Sequence, residues 1–188
     1  MKNATFLDRV GFFFRKPEYV FHPVRTLTRR LASNEDSFRK VELPWGGTIS
    51  VKKSDVIGNA IIRHGVYELS VTEVLWRLLG NGDMFIDVGA NIGYMSHLMA
   101  SRAKSGFGIS FEPHPLVFSR LSENLRAFSN RVKVYQGAVG EEAGRLNLVE
   151  PESFDENEGT ARLGSNSDKG IEVEVLKLDD ILDVYDKI

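Results

Sequence analysis

The 188-residue chain contains no cysteine. That excludes disulfides and thiolate metal sites, and with them a small secreted scaffold held by cross-links. Apolar runs of about 18 residues, the length a membrane span needs, are missing too. The cluster Val10-Gly-Phe-Phe-Phe14 behind Lys2 is too short for a signal-peptide core, and Arg15 and Lys16 follow it. His22, His64, His97 and His114 stand apart without ligand-like spacing, so no metal centre is expected. A cytoplasmic protein is the expectation. What is present is ordinary: 42% hydrophobic and 27% charged residues. At this length one domain buries about 70% of its unfolded-chain surface.

A net charge of −2 hides an uneven distribution. Residues 1–40 carry nine Lys or Arg against four Asp or Glu, whereas residues 141–188 carry fourteen acids against five bases. Such a bias commonly means a solvated face. Phe12, Phe13, Phe14, Tyr19 and Phe21 are read as a cap on one end of the core or part of an acceptor lid. The alternative is peripheral membrane contact, with Arg25, Arg29 and Arg30 snorkelling. No nucleic-acid partner is expected.

The chemistry concentrates between Met84 and Ala100. Met84–Val88 reads as a short buried strand, apolar except for Asp87, and Met95, Leu98 and Met99 recur at helical spacing. Between them lies a turn with Gly89 and Gly93, where backbone approaches a ligand without side chains in the way. Strand, glycine turn and helix start form the nucleotide crevice of an open α/β sheet. Spacing separates the ligands that use such a turn. A phosphate loop needs Gly-Lys and a hydroxyl residue, but Tyr94 and Met95 follow Gly93. A dinucleotide fingerprint needs glycine where Asn91 and Tyr94 stand. What remains is Asp-x-Gly-x-x-x-Gly. The Asp87 carboxylate repels a pyrophosphate but suits a ligand bearing an ammonium and a sulfonium. That ligand is S-adenosylmethionine. A turn that merely links strand to helix is the alternative.

Phe85-Ile-Asp-Val-Gly-Ala-Asn-Ile-Gly93, followed by Phe111-Glu-Pro-His-Pro115, resembles the FkbM family of S-adenosylmethionine-dependent methyltransferases. Gly137-Ala138-Val139 and Leu178-Asp-Asp-Ile-Leu182 are weaker matches. The resemblance implies an α/β, Rossmann-like class I methyltransferase sheet. In the family a strand ending in Lys-Ile-Asp-x-Glu-Gly follows, and the sequence reaches Ile188 without it. The expectation is thus a truncated chain with an incomplete sheet, its C-terminal strands missing and its first strand open on one edge. Residues 1–65 are expected to form a helical and hairpin N-terminal extension, and 66–188 the cofactor-binding portion.

Around that centre, Val41–Val51 predicts two short strands about a Gly-Gly turn. Ser70 and Glu73 predict a capping box, with Val74, Leu75, Leu78 and Leu79 as the apolar face and Gly80 as the stop. Phe107–Phe111 is the second parallel strand. It ends at Glu112, where a carboxylate accepts from both ribose hydroxyls of an adenosine ligand without choosing between cofactors. Pro113 and Pro115 then start a helix with Val117, Leu121, Leu125 and Phe128 inward. Arg131–Gln136 is the third strand, and adenine is assigned to Gln136 or to backbone around Ala138. Arg145–Glu150 and Ile171–Leu178 alternate as an antiparallel pair. In the loop 151–170 between them, Asn157 and Gly159 match a family position bordering the active site. Leu178, Ile181, Leu182 and Tyr185 predict a final amphipathic turn or two, with Asp179 and Asp180 favouring the helix dipole.

The expected cofactor-binding residues are Asp87, Gly89, Ala90, Asn91, Gly93, Glu112, Gln136 and Ala138. The expected reaction, as the resemblance implies, is methyl transfer to a hydroxyl of a small-molecule or glycan-type acceptor. His114, Glu68 and His64 are candidate general bases, and the catalytic residue stays unassigned. A lone histidine such as His114 also fits a plain surface role. Two rivals are a nicotinamide oxidoreductase, disfavoured by Asn91 and Tyr94, and a non-enzyme, either a cofactor-binding relic or an inactive, incompletely folded fragment. With one pocket wall absent, the truncated chain is expected to bind the cofactor weakly or not at all.

Overall fold

A computed structural model describes residues 38–151, 154, 161–164 and 170–185. The expectations for residues 1–37, and those for Asn157 and Gly159, lie outside the described residues. The chain divides into two compact units, Met1–Val74 and Leu75–Ile188. No helix of the described residues is long and apolar enough to cross a membrane.

In the first unit, β1 (Phe38–Glu42) and β2 (Thr48–Lys52) pair antiparallel about Gly46 and Gly47, as the alternation predicts. Helix α1 (Val56–His64) was not foreseen, although its signals are plain. Asp55 accepts from the Ile57 and Gly58 amides at 3.0 Å, and Gly65 closes the helix. Ile49, Val51, Ile61 and Ile62 form its core. Helix α2 (Leu69–Leu78) departs from the expectation. It begins before Ser70, and Glu68 ahead of it takes a left-handed conformation at φ 45°. Thr72 is the buried residue, its hydroxyl donating to the Tyr67 carbonyl at 2.8 Å. The expected apolar positions Val74 and Leu78 turn outward, Leu78 to 75% exposure. The apolar pattern does not mark the buried side of this helix.

The second unit opens with strand–helix–strand–helix–strand: β3 (Phe85–Val88), α3 (Tyr94–Arg102), β4 (Gly108–Phe111), α4 (Pro115–Asn124) and β5 (Val132–Tyr135). The three strands are parallel in the order β3-β4-β5, with Asp87 opposite Ser110 and Phe111 opposite Tyr135. This is the Rossmann-like α/β arrangement expected. Central β4 is buried throughout. Among the described residues β3 has one neighbour, and Ile86 and Val88 are 37% and 56% exposed. The strand expected to be buried is buried at Phe85 and exposed on the alternate face at Ile86 and Val88.

Two helices grip this sheet. Val117, Leu121 and Leu125 are buried as predicted and Phe128 is half-buried, its ring meeting His97 edge-on at 4.9 Å. Arg131 donates to the Ala100 and Ala103 carbonyls at 2.5 and 2.8 Å, which satisfies the free carbonyls at the end of α3 with a cation. A second sheet, β6 (Ala138–Gly140), β7 (Gly144–Val149), β8 (Arg162–Leu163) and β9 (Ile171–Lys177), runs in the order β6-β9-β7-β8. Strands β7 and β9 are the predicted antiparallel pair, whereas β6 joins β9 in parallel. Helix α5 (Leu178–Tyr185) carries Asp179 and Asp180 in its first turn, as expected.

Burial holds the His97 imidazole down at about 4, below its usual 6.5. Between those two values His97 binds its proton in the unfolded chain but not in the folded one, so its contribution to stability should fall as pH drops from 6.5 toward 4. Urea midpoints across that range test this. His97→Leu should flatten the slope, and an unchanged slope would place the acid sensitivity elsewhere.

Candidate cofactor site

Six of the eight site residues expected from the sequence converge where β3 and β4 end. Past Val88 the chain turns back onto β4, with Gly89 and Ala90 both donating to the Phe111 carbonyl, at 3.0 and 2.8 Å. Gly89 and Gly93 have φ of 77° and 86°, and Asn91 joins them at 51°. Asparagine tolerates this region because its short polar side chain bonds locally; here Asn91 Oδ1 accepts from the Ile92 amide at 2.6 Å. Gly93 N–H donates to the Ala90 carbonyl at 2.8 Å and closes the turn onto α3. Asn124 of α4 ties it down from below, donating to the Ile92 carbonyl at 2.8 Å.

This turn is bonded directly to Glu112. The Asn91 amide donates to Glu112 Oε2 at 3.0 Å, and the His114 amide donates to Oε1 at 2.9 Å. The Glu112 backbone continues the sheet ladder, its amide on the Tyr135 carbonyl and its carbonyl accepting from Gly137. Burial pushes the Glu112 carboxyl above its ordinary value, with the nearby Asp87 charge adding to the rise. The two amides and His114 pull the other way.

Asp87 sits one strand over. Its Oδ2 accepts from Ser96 Oγ at 2.5 Å, and Ser96 Oγ lies 2.9 Å from Ser110 Oγ. Burial raises the Asp87 carboxyl, partly offset by the bonds from Ser96. Neither serine was singled out in the sequence. Ser110 is opposite Asp87 in the strand register and Ser96 faces it from the first turn of α3, so strand pairing was the missing signal.

The remaining two expected residues part company. Ala138 is buried at the start of β6. Gln136 is exposed and lines a groove of about 560 Å³ with Pro115, Phe118 and Arg126 along the outer face of α4. Of the base candidates, His114 is 1% exposed and its Nε2 lies 2.8 Å from Glu150, so the surface position considered for it is not what folds. His64 is buried and Glu68 exposed, both in the first unit. Among the described residues no group of three or more His, Asp or Glu is placed to hold a metal.

The glycine turn, its carboxylate and the Glu112 strand end fall within residues 87–188, which match the family model of the methyltransferase FkbM domain. The chain belongs to the FkbM methyltransferase family.

None of the curated proteins matches this FkbM-family chain in sequence. Among solved structures it is similar to TYW2 of P. horikoshii in complex with MeSAdo, at 15% identity and a TM-score of 0.46, over 65% of this chain and 50% of that one. M. jannaschii TYW2 in complex with AdoMet aligns at 14% identity and 0.44, over 56% and 45%. Precorrin-6y C5,15-methyltransferase from Geobacter metallireducens GS-15 aligns at 19% identity and 0.34, over 38% and 40%. The chain thus spans half or less of the length of each.

The two glycines separate by what surrounds them. A Cβ at Gly89 meets nothing within 4 Å, whereas one at Gly93 lies 2.8 Å from Leu121 Cδ1. Gly89→Ala should cost about 1–2 kcal/mol for its left-handed backbone alone. Gly93→Ala should cost about 2–5 kcal/mol, since overpacking adds to the same backbone cost. Equal losses in urea unfolding would mean that the turn does not bear on α4 as described.

Proposed function

We propose that this chain binds S-adenosylmethionine on the β3–α3 turn and serves methyl transfer to a hydroxyl oxygen of a small-molecule or glycan-type acceptor. The observation that carries the reading is the Asn91 amide on Glu112 Oε2, which joins the glycine turn to the carboxylate at the next strand end. The residues fit the group on two counts. Each Glu112 oxygen accepts one backbone amide and keeps a further lone pair for a ribose hydroxyl. Space for a ligand over the turn is open at Gly89.

When bound, the cofactor supplies an electrophilic methyl on a positively charged sulfur. Asp87 provides the opposing charge, held in place by Ser96. Gly89 and Ala90 keep the turn free of bulk, and Glu112 fixes the adenosine half. Gln136 or backbone at Ala138 serves the adenine end. Holding the acceptor in line and excluding water supplies much of the acceleration in such a reaction. An alcohol acceptor also calls for a general base. His114 is a poor choice because its Nε2 is engaged by Glu150, and the base stays unassigned. The acceptor is not a nucleic acid in this reading, and the setting is cytoplasmic.

Calorimetry with S-adenosylhomocysteine tests the site. Glu112→Ala should weaken binding by about 1.5–3 kcal/mol, the range for hydrogen bonds to a charged group, and Gly89→Val should abolish it by filling the space over the turn. Full affinity in both variants would move the cofactor elsewhere.

A pH series adds an independent check. Burial raises both Asp87 and Glu112, so each ionises only above the ordinary carboxylate range. Their contribution to folded stability therefore declines as pH climbs from the ordinary value to the raised one, opposite in sign to that of His97, while affinity for the cationic cofactor grows over the same window. On acidification S-adenosylmethionine should lose affinity before that range is reached, and S-adenosylhomocysteine, which lacks the sulfonium charge, should lose less. Parallel curves for the two ligands would remove Asp87 as the partner of the sulfonium.

A further inference from the structure

Next to Glu112 lies a buried pair that the chemistry above does not use. His114 stands at the N-terminus of α4, where its side chain makes no capping bond. Its imidazole turns away instead and lies 2.8 Å, through Nε2, from Glu150 Oε1 just past the end of β7. A carboxylate only accepts, so Nε2 donates, and in the neutral ring Nδ1 is left as an acceptor. Nδ1 has no hydrogen-bond partner among the described residues. Phe154 stacks on the ring at 4.5 Å with 27° between the planes. The imidazole is thus held at its edge by a carboxylate and on its face by an aromatic ring, and it is 1% exposed.

The backbone of the same residue carries the amide that binds Glu112 Oε1. A side chain pinned on two sides restricts its own backbone, because rotamer and φ/ψ are coupled. We propose that His114 is a positioning residue for the cofactor site. Its imidazole, anchored by Glu150 and Phe154, fixes the amide that aims the Glu112 carboxylate. The second sheet, through the end of β7, then governs how tightly the first sheet holds its ligand. This rests on the reading of Glu112 as the cofactor's ribose ligand, and the test separates the two.

The experiment is calorimetry of S-adenosylhomocysteine against the full chain and its Glu112→Ala, His114→Ala, His114→Gln, Glu150→Ala and His114→Ala/Glu112→Ala variants, each with a urea midpoint. His114→Ala keeps the amide but frees its direction, and should weaken binding about tenfold, the low end of the scale for a hydrogen bond to a charged group. His114→Gln keeps a donor at the end of the side chain and should recover most of that affinity. In the Glu112→Ala background His114→Ala should add nothing, because the two act as one unit. A residue that merely supports the fold would add its full loss in both backgrounds and would not be rescued by glutamine, which would overturn the proposal. So would unchanged affinity in a folded His114→Ala. Glu150 is partly exposed, so Glu150→Ala carries the same test if His114→Ala does not fold; unchanged affinity there also overturns it. If Glu112→Ala binds like the parent, or the parent does not bind, the reading of Glu112 falls first and this inference with it.

Discussion

Two backbone amides hold one buried carboxylate, and the rest of the site is arranged around that grip. The Asn91 amide comes from the turn after β3 and the His114 amide from the start of α4. Glu112 therefore ties the turn after β3, 21 residues away, to its own neighbourhood at the end of β4 and the start of α4. Removing a carboxylate from water is costly, and the cost is met only where its lone pairs find donors. Both donors are backbone groups, which no side-chain substitution can delete. What substitutions can alter is their direction, through the left-handed conformation at Asn91 and the anchored imidazole of His114.

Electrostatics place Asp87 and Glu112 in the same predicament. Each is pushed toward its neutral form by burial, and Asp87 raises Glu112 further. Burial is the main cause for both, and bonds from Ser96 to Asp87 and from two backbone amides to Glu112 oppose it. In the proposed reading a cationic ligand, S-adenosylmethionine, brings the charge that favours their ionised forms.

Much of this was legible in the residues. The spacing of Asp87, Gly89 and Gly93 located the turn, and Glu112 at the next strand end located its partner. The period of Val117, Leu121 and Leu125 gave the buried face of α4, and alternation gave β7 with β9. What escaped was set by pairing and packing between distant segments. Ser96 and Ser110 matter because strand register brings both to Asp87. His114 is buried because β7 delivers Glu150 to it, which no local pattern encodes. The apolar positions Val74 and Leu78 looked like a core face, yet both are exposed and Thr72, bonded to the Tyr67 carbonyl, is the buried residue of α2.

The proximity of Leu121 to Gly93 has a consequence for how variation in this protein is interpreted. A Cβ added at Gly93 would stand 2.8 Å from Leu121 Cδ1, so the hydrophobic interior lies directly against the glycine turn. Reshaping Leu121 would displace that loop as well as loosen α4, because a close-packed interior passes strain on rather than absorbing it. Sequence changes beneath the turn would therefore retune recognition while leaving every polar contact partner chemically intact.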